Sequence, residues 1–450
     1  MILNFRPKIK ILVLAVNLLA SIFFTVHSNA LTDLPYRQAT INDPRLRAEV
    51  VFSGLNFPTS MTFLGPDDIL VLEKNNGTVK RIVDGRLLPD SLLHVEVSTV
   101  SERGMLGIAT DRQANNGSTY VFLYFTEDDG KKSSESKEQQ TVIGNRLYRY
   151  ELVDDKLTNP KLLLDLPANP GPAHNGGKMV IGPDHNLYIV NGDLYGSTIL
   201  QNIANARQPD GTGGVLHITQ DGKPVNNGIL GSEYPLSLYY AYGIRNSFGL
   251  AFDPVSGKLW DTENGPYYGD EINLVDPGFN SGWKKIQGIW TDNNEHIGDV
   301  APLNPHGLVN MNGKGKYSRP EFTWNSTVGV TGIDFLNSDN LGKQYENSLF
   351  VGDFHNGNLY NFKLSSDRSQ IVLRDSLADK IANNEGELKD VILGQGFGAI
   401  TDVKTGPDGY LYVLSVKEGG TDCNALANDE AQCVPYDSGV QGTIFRIVSN

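Results

Sequence analysis

Short apolar runs broken by polar turns, rather than helical stripes, set the rhythm of this chain. One phrase recurs: an apolar residue, a turn built on Pro-Asp or Asp-Pro, then a short strand. It reads Phe63-Leu64-Gly65-Pro66-Asp67-Asp68 before Ile69-Leu70-Val71, and Ile181-Gly182-Pro183-Asp184 before Leu187-Tyr188-Ile189. It returns as Phe252-Asp253-Pro254 before Lys258-Leu259-Trp260, and as Gly406-Pro407-Asp408-Gly409 before Tyr410-Leu411-Tyr412-Val413. Weaker copies run from Gly104 to Tyr120-Val121-Phe122-Leu123-Tyr124, and from Gly332 through Ser348-Leu349-Phe350-Val351 to Leu359-Tyr360. Pro presets φ in such turns and Asp or Gly tolerates their tight geometry. Six units of this kind predict an all-β chain: a six-bladed β-propeller of four-stranded antiparallel blades. A β-sandwich array or a pair of barrels sharing turn chemistry is the alternative, which repetition of one phrase disfavours.

Composition agrees, with 48 Gly, 22 Pro, 18 Phe and 19 Tyr in 450 residues. No low-complexity linker divides residues 31–450, which are therefore read as one domain. Residues 1–30 differ. Arg6, Lys8 and Lys10 precede an apolar run from Ile11 to Val26 and then Ser28-Asn29-Ala30, the pattern of a secretory signal. An uncleaved anchor is the alternative, although the run falls just short of the usual span of ~17 to 25 residues. The expectation is a secreted, periplasmic or cell-surface protein with no integral membrane domain once the signal is removed.

Removing those thirty residues takes the formal charge from −14 to −17. An acidic chain lacks the basic footprint that nucleic acid or an anionic membrane requires. The two cysteines, Cys423 and Cys433, stand in a polar C-terminal stretch with no His nearby, so a local disulfide is expected and zinc is not.

Three loop segments carry candidate chemistry. Gly171-Pro172-Ala173-His174-Asn175-Gly176-Gly177-Lys178 presents a His on a Gly-rich loop, and Asn191-Gly192-Asp193 supplies a carboxylate able to fix one imidazole tautomer. The bland reading is a surface His and a turn Asp. In Tyr242-Gly243-Ile244-Arg245-Asn246-Ser247-Phe248, a fixed guanidinium suits a developing oxyanion, or simply bonds loop carbonyls. Glu263-Asn264-Gly265-Pro266-Tyr267-Tyr268-Gly269-Asp270-Glu271-Ile272-Asn273 offers carboxylates and free carbonyls, oxygen ligands of the kind calcium takes, or else an acidic exposed turn.

In this order, and with Gly249-Leu250-Ala251-Phe252-Asp253-Pro254 and Asn280-Ser281-Gly282-Trp283, these segments resemble the glucose/sorbosone dehydrogenases. That family comprises sugar dehydrogenases dependent on pyrroloquinoline quinone (PQQ) and calcium. The resemblance covers nearly all of residues 50–448. It implies oxidation of the C1 hydroxyl of an aldose to a lactone, with hydride passing to PQQ, an unknown electron acceptor downstream and a homodimer as one possible assembly. His174 takes the place of the family's proton-abstracting base, Asp193 that of its orienting carboxylate, and Arg245 and Asn246 that of the pair at the quinone oxygens. The carbonyls of Gly265 and Pro266 match the holders of the PQQ calcium, and Glu271 with the Ser281 carbonyl matches a structural calcium.

Other positions depart from the pattern. Glu102 stands where the family has Gln, His355 where it has Lys, and Ala399 and Thr401 where it has two carboxylate-binding arginines. Lys178 and Lys404 are the nearby cations able to substitute. Two further readings follow from these departures: a non-catalytic, calcium-stabilised propeller binding a glycan or protein, and a lactonase-like hydrolase.

Overall fold

The computed structural model describes residues 39–113, 117–130, 142–289, 307–417 and 440–450. The expected signal segment and the Cys423–Cys433 pair lie outside them. Gln38–Asn450 forms one compact unit. Among the described residues no helix is long and apolar enough to cross a membrane.

Among the described residues the strands form six separate sheets in a propeller-like arrangement. Each of the six recurring phrases is the turn between the first two antiparallel strands of a different sheet. Pro58–Gly65 pairs with Asp68–Glu73, Met105–Arg112 with Thr119–Asp128, and Met179–Ile181 with Leu187–Asn191. Ser247–Phe252 pairs with Leu259–Glu263, Val330–Phe335 with Leu349–Asp353, and Ala399–Thr405 with Leu411–Val416. These first strands touch in series, and Ala399–Thr405 returns to Pro58–Gly65.

The apolar core is divided among the spaces between sheets. In Asp68–Glu73, Ile69 and Val71 pack toward Tyr412, Leu414 and Ile444 of the last sheet, while Leu70 and Leu72 pack toward Val121, Leu123 and Phe125 of the next. Leu187 and Ile189 likewise face Phe122 and Tyr124, whereas Tyr188 and Val190 face Leu250 and Leu259. Trp260 meets Val351 and Tyr360, and Phe350 meets Ile400 and Val413. Successive strand residues point to opposite faces, so a strand covered on both faces must be apolar at nearly every position. This is why the second strands read as continuous runs such as Ile-Leu-Val-Leu. Each such Leu, fully buried, contributes about 1.5–3 kcal/mol.

The expectation of uniform four-stranded blades needs correction. Every sheet holds four antiparallel strands, but only the second and sixth stop there. The others add two-residue strands, and those at Phe279–Asn280, Lys316–Tyr317 and Ile381–Ala382 join in parallel. Long connections lay short stretches along open edges, satisfying edge N–H and C=O groups. The sixth sheet is closed by the N-terminal strand Leu46–Asn56 against the C-terminal strand Gln441–Ser449, a pairing that no local repeat announces.

Candidate active site

Antiparallel pairing brings the entry of each first strand beside the exit of its second, as the partners Ser247 and Glu263, Val330 and Asp353, and Ala399 and Val416 illustrate. Loops entering first strands and leaving second strands therefore share an edge. All three chemistry-bearing segments are such loops.

His174 is buried, with a left-handed backbone (φ 61°) that costs a non-glycine residue roughly 1–2 kcal/mol. Glu102 helps hold it there: Oε2 accepts the His174 N–H at 2.7 Å and the Asn175 N–H at 3.3 Å. The same oxygen accepts from Asn246 Nδ2 at 3.1 Å, and Asn246 Oδ1 accepts the Gly176 N–H at 3.1 Å. Asn246 thus ties the His174 loop to the Arg245 loop. Gly192 sits between these loops, where a Cβ would run into His174 O and come within 3.0 Å of Arg245 O.

His174 Nδ1 lies 2.6 Å from Asp193 Oδ1. Asp193 Oδ1 also accepts the Tyr195 N–H at 2.9 Å, and Oδ2 accepts Trp283 Nε1–H at 2.7 Å. Burial pushes this carboxyl up, but the bonds from His174, Trp283 and Tyr195 outweigh it and hold Asp193 below the usual carboxylate range. A carboxylate only accepts, so it fixes the proton of a neutral imidazole on Nδ1 and leaves Nε2 as the ring's acceptor atom. The Asp193 N–H donates to Arg245 O at 2.9 Å. Arg245 itself is buried, with its N–H on Glu263 Oε1 (2.7 Å), Nη1 on Asn264 O (3.1 Å) and its guanidinium 5.5 Å from the Trp283 ring centre.

The Gly265-Pro266 turn is shaped by Asp270, whose Oδ1 accepts the Gly265 N–H at 2.9 Å and whose Oδ2 accepts Val328 and Gly329 N–H groups, both at 2.8 Å. His355 is exposed beside this turn: its N–H donates to Val328 O at 3.0 Å and its ring covers Gly329. Glu271 and Ser281 meet, Ser281 Oγ donating to Glu263 Oε2 at 2.5 Å and approaching Glu271 Oε2 at 3.4 Å. Burial pushes Glu271, Glu263 and neighbouring Asp261 above the usual carboxylate range. Among the described residues both Asp261 oxygens lack a partner at hydrogen-bond distance, although the Asn273 amide pulls the carboxyl down, and Asn273 Oδ1 and Gln287 Oε1 are likewise unpartnered. An interior lined by oxygen acceptors fits a hard cation.

Thr401 is not brought into this network. Its hydroxyl donates to Leu414 O at 3.3 Å, and Ala399 lies in an apolar cluster with Phe57 and Val416. Lys178 is buried in an ion pair with Asp402, whose Oδ2 accepts from Ser60 Oγ and the Met61 N–H, both at 3.0 Å. Burial lowers the Lys178 ammonium to about 8 against the pull of Asp402.

Four residues of the network escaped the sequence reading of roles. Arg103 reaches Ala168 O, Asn169 Oδ1 (3.1 Å) and Gly171 O (3.4 Å), holding the start of the His174 loop while Glu102 holds its middle. Lys74 donates to Ser101 O at 2.8 Å, and burial lowers it to about 7 although the Glu102 charge opposes this. Trp283 and Glu263 complete the set. Glu263 and Trp283 stood inside recognised segments and Arg103 and Lys74 just outside them, but nothing in their spacing told a partner of His174 or Arg245 from a strand-end residue.

Residues 55–423 match the family model described as glucose/sorbosone dehydrogenase. An uncharacterised protein of Synechocystis sp. is 28% identical over 405 residues, covering 84% of this chain and 86% of its own. Aldose sugar dehydrogenase YliI of Escherichia coli is 27% identical over 391 residues, covering 85% and 92%. The PQQ-bound aldose sugar dehydrogenase of Streptomyces coelicolor superposes with a TM-score of 0.59 over 89% of this chain and 98% of its own, at 22% identity. The chain therefore belongs to the glucose/sorbosone dehydrogenase family.

Proposed function

We propose that this protein is an exported sugar dehydrogenase that oxidises the C1 hydroxyl of an aldose to the lactone, with PQQ and calcium. The observation carrying this reading is the buried Asp193–His174 pair, which leaves an imidazole lone pair at a strand-end loop with Arg245 alongside. In this reading the six sheets are the blades of one closed six-bladed propeller, and residues 1–30 are its export signal.

His174 Nε2 takes the C1 hydroxyl proton, and Asp193 stabilises the imidazolium that forms. Arg245, anchored at its N–H by Glu263 and at Nη1 by Asn264, presents positive charge where an oxyanion develops. PQQ, when bound, supplies the hydride acceptor. Arg245 and Asn246 would hold its quinone end, and the Gly265 and Pro266 carbonyls its calcium; neither carbonyl accepts a hydrogen bond from the described residues. Glu271, with Asp261, Glu263 and the Ser281 carbonyl, would hold a second calcium. The carboxylate end of PQQ fits less well. Ala399 and Thr401 offer it no cation, and Lys178 is taken by Asp402, which leaves His355 and Lys404. Each lost charge-assisted contact weakens binding by about 1.5–3 kcal/mol.

The test is reduction of an artificial electron acceptor by protein incubated with PQQ, Ca²⁺ and an aldose, and its loss in His174→Ala. Folded protein that neither binds PQQ nor turns over would leave the scaffold as a glycan- or protein-binding propeller. Lactone hydrolysis without PQQ would instead mark a hydrolase.

A further inference from the structure

Two consecutive non-glycine residues after Asp193, Leu194 (φ 52°) and Tyr195 (φ 58°), have left-handed backbones. L side chains adopt this conformation only where the surroundings impose it. Here Leu194 is fully buried, its carbonyl accepts the Gly171 N–H at 2.9 Å, and Asp193 Oδ1 receives the Tyr195 N–H. The strained turn delivers the Tyr195 ring to the His174 imidazole, centroid to centroid 4.2 Å at 50°. Gly171 makes room for it, because a Cβ there would run into the Tyr195 ring. Yet Tyr195 stays 44% exposed.

A ring needed only to wedge the imidazole would be expected to bury itself, since exposed aromatic surface forgoes hydrophobic stabilisation. The backbone bond to Asp193 requires no aromatic side chain at all. Backbone strain, a glycine clearance and half-exposure therefore converge on one outcome, a half-exposed aromatic ring held beside the His174 ring.

We propose that Tyr195 contacts substrate and sorts it, offering the exposed part of its ring as a platform for the C–H face of a pyranose. Polarised C–H groups on a sugar face are attracted to the negative face of an aromatic ring. An aldose lying there presents its hydroxyl rim sideways, toward His174. Aldoses with a flat C–H face are then preferred to those bearing an axial hydroxyl on that face, and to open-chain polyols. The inference rests on the reading of the protein as an aldose dehydrogenase and adds the residue that selects among aldoses.

The experiment compares Tyr195→Phe, Tyr195→Leu and Tyr195→Ala in the full chain. The readouts are saturation-transfer NMR with glucose on calcium-loaded protein without PQQ, then KM, kcat and the pH profile with PQQ. Phe keeps the platform and should stay within about threefold of wild type, while Leu and Ala should raise KM by about five- to tenfold, the scale of a lost aromatic contact. In these two, kcat and the pH profile should hold and saturation of the sugar C–H protons should fall. An unchanged KM in Tyr195→Leu overturns the proposal, as does a fall in kcat with a shifted pH profile at constant KM, which would make Tyr195 a positioning residue for His174. Absence of glucose saturation in the wild type also overturns it. Tyr195-dependent saturation without any turnover supports the platform and removes only the dehydrogenase reading.

Discussion

Replacing Asp193 with Asn tests the core of the proposed chemistry, because the carboxylate accepts three hydrogen bonds and an amide cannot accept all three. With its oxygen toward His174 and Tyr195, the introduced amide turns its NH₂ on Trp283 Nε1–H, which lay 2.7 Å from Asp193 Oδ2. Orphaning that indole N–H costs about 1–3 kcal/mol of stability. The reverse orientation opposes the NH₂ to the Tyr195 N–H and forces the His174 proton onto Nε2, which abolishes the base. Even in the better orientation the imidazolium loses its counter-charge. A charge-assisted bond of about 1.5–3 kcal/mol becomes a neutral one of about 0.5–1.5, and the difference of about 1–1.5 kcal/mol slows the chemical step about five- to twelvefold. Population of the wrong tautomer extends the loss toward the ~10⁴-fold seen when a triad aspartate is so replaced. The assay is kcat and KM for an aldose with PQQ, Ca²⁺ and an artificial acceptor, alongside thermal unfolding. KM should change little. Acid sensitivity offers a second readout: a carboxyl held below its ordinary pKa stabilises the fold above that ordinary value, and the contribution is lost as pH falls through the depressed one. Asp193→Asn should lack that component of acid destabilisation. A variant whose kcat stays within threefold at an unchanged pH profile would refute Asp193 as the orienting group.

Two further outcomes are expected. Calcium should raise the thermal midpoint relative to protein in excess chelator, by the equivalent of about 2.7 kcal/mol at a hundred times Kd. Glu271→Gln should shrink that increment, and a midpoint indifferent to chelator would remove the second calcium from the proposal. Lys178→Met should cost about 3–5 kcal/mol in urea unfolding by stranding the buried Asp402 charge. Lys178→Met with Asp402→Asn should recover part of it, and equal destabilisation by single and double variants would refute the pairing argument.

The fold was legible because its energetics are written locally. A strand covered on both faces has no polar positions to spare, and its turn needs Pro, Asp or Gly, so every unit repeats one phrase. What the phrase omits is pairing across long sequence separation. Leu46–Asn56 finds Gln441–Ser449 only because the chain ends meet in one sheet, and the parallel two-residue strands depend on where long connections come to rest.

The site divides along the same line. His174, Asp193, Arg245 and Asn246 stood out as reactive side chains on Gly-bounded loops, and the structure links their loops by direct hydrogen bonds. Lys178 was readable as a free cation because a sequence does not show that Asp402, more than two hundred residues away, closes over it. The converse holds for Asp261 and Glu263, which occupy a strand whose other residues, Leu259, Trp260 and Thr262, are buried. Their alternation with Trp260 and Thr262 looks like ordinary strand patterning until Glu271 is placed opposite Glu263 in the register. Three buried acids then lie on neighbouring strands, near amide oxygens of Asn273 and Gln287 that have no partner among the described residues. Burying even one unpaired carboxylate is costly enough that such a group ordinarily neutralises itself. The proposed second calcium would offset that cost, which is what the chelator experiment on Glu271→Gln measures.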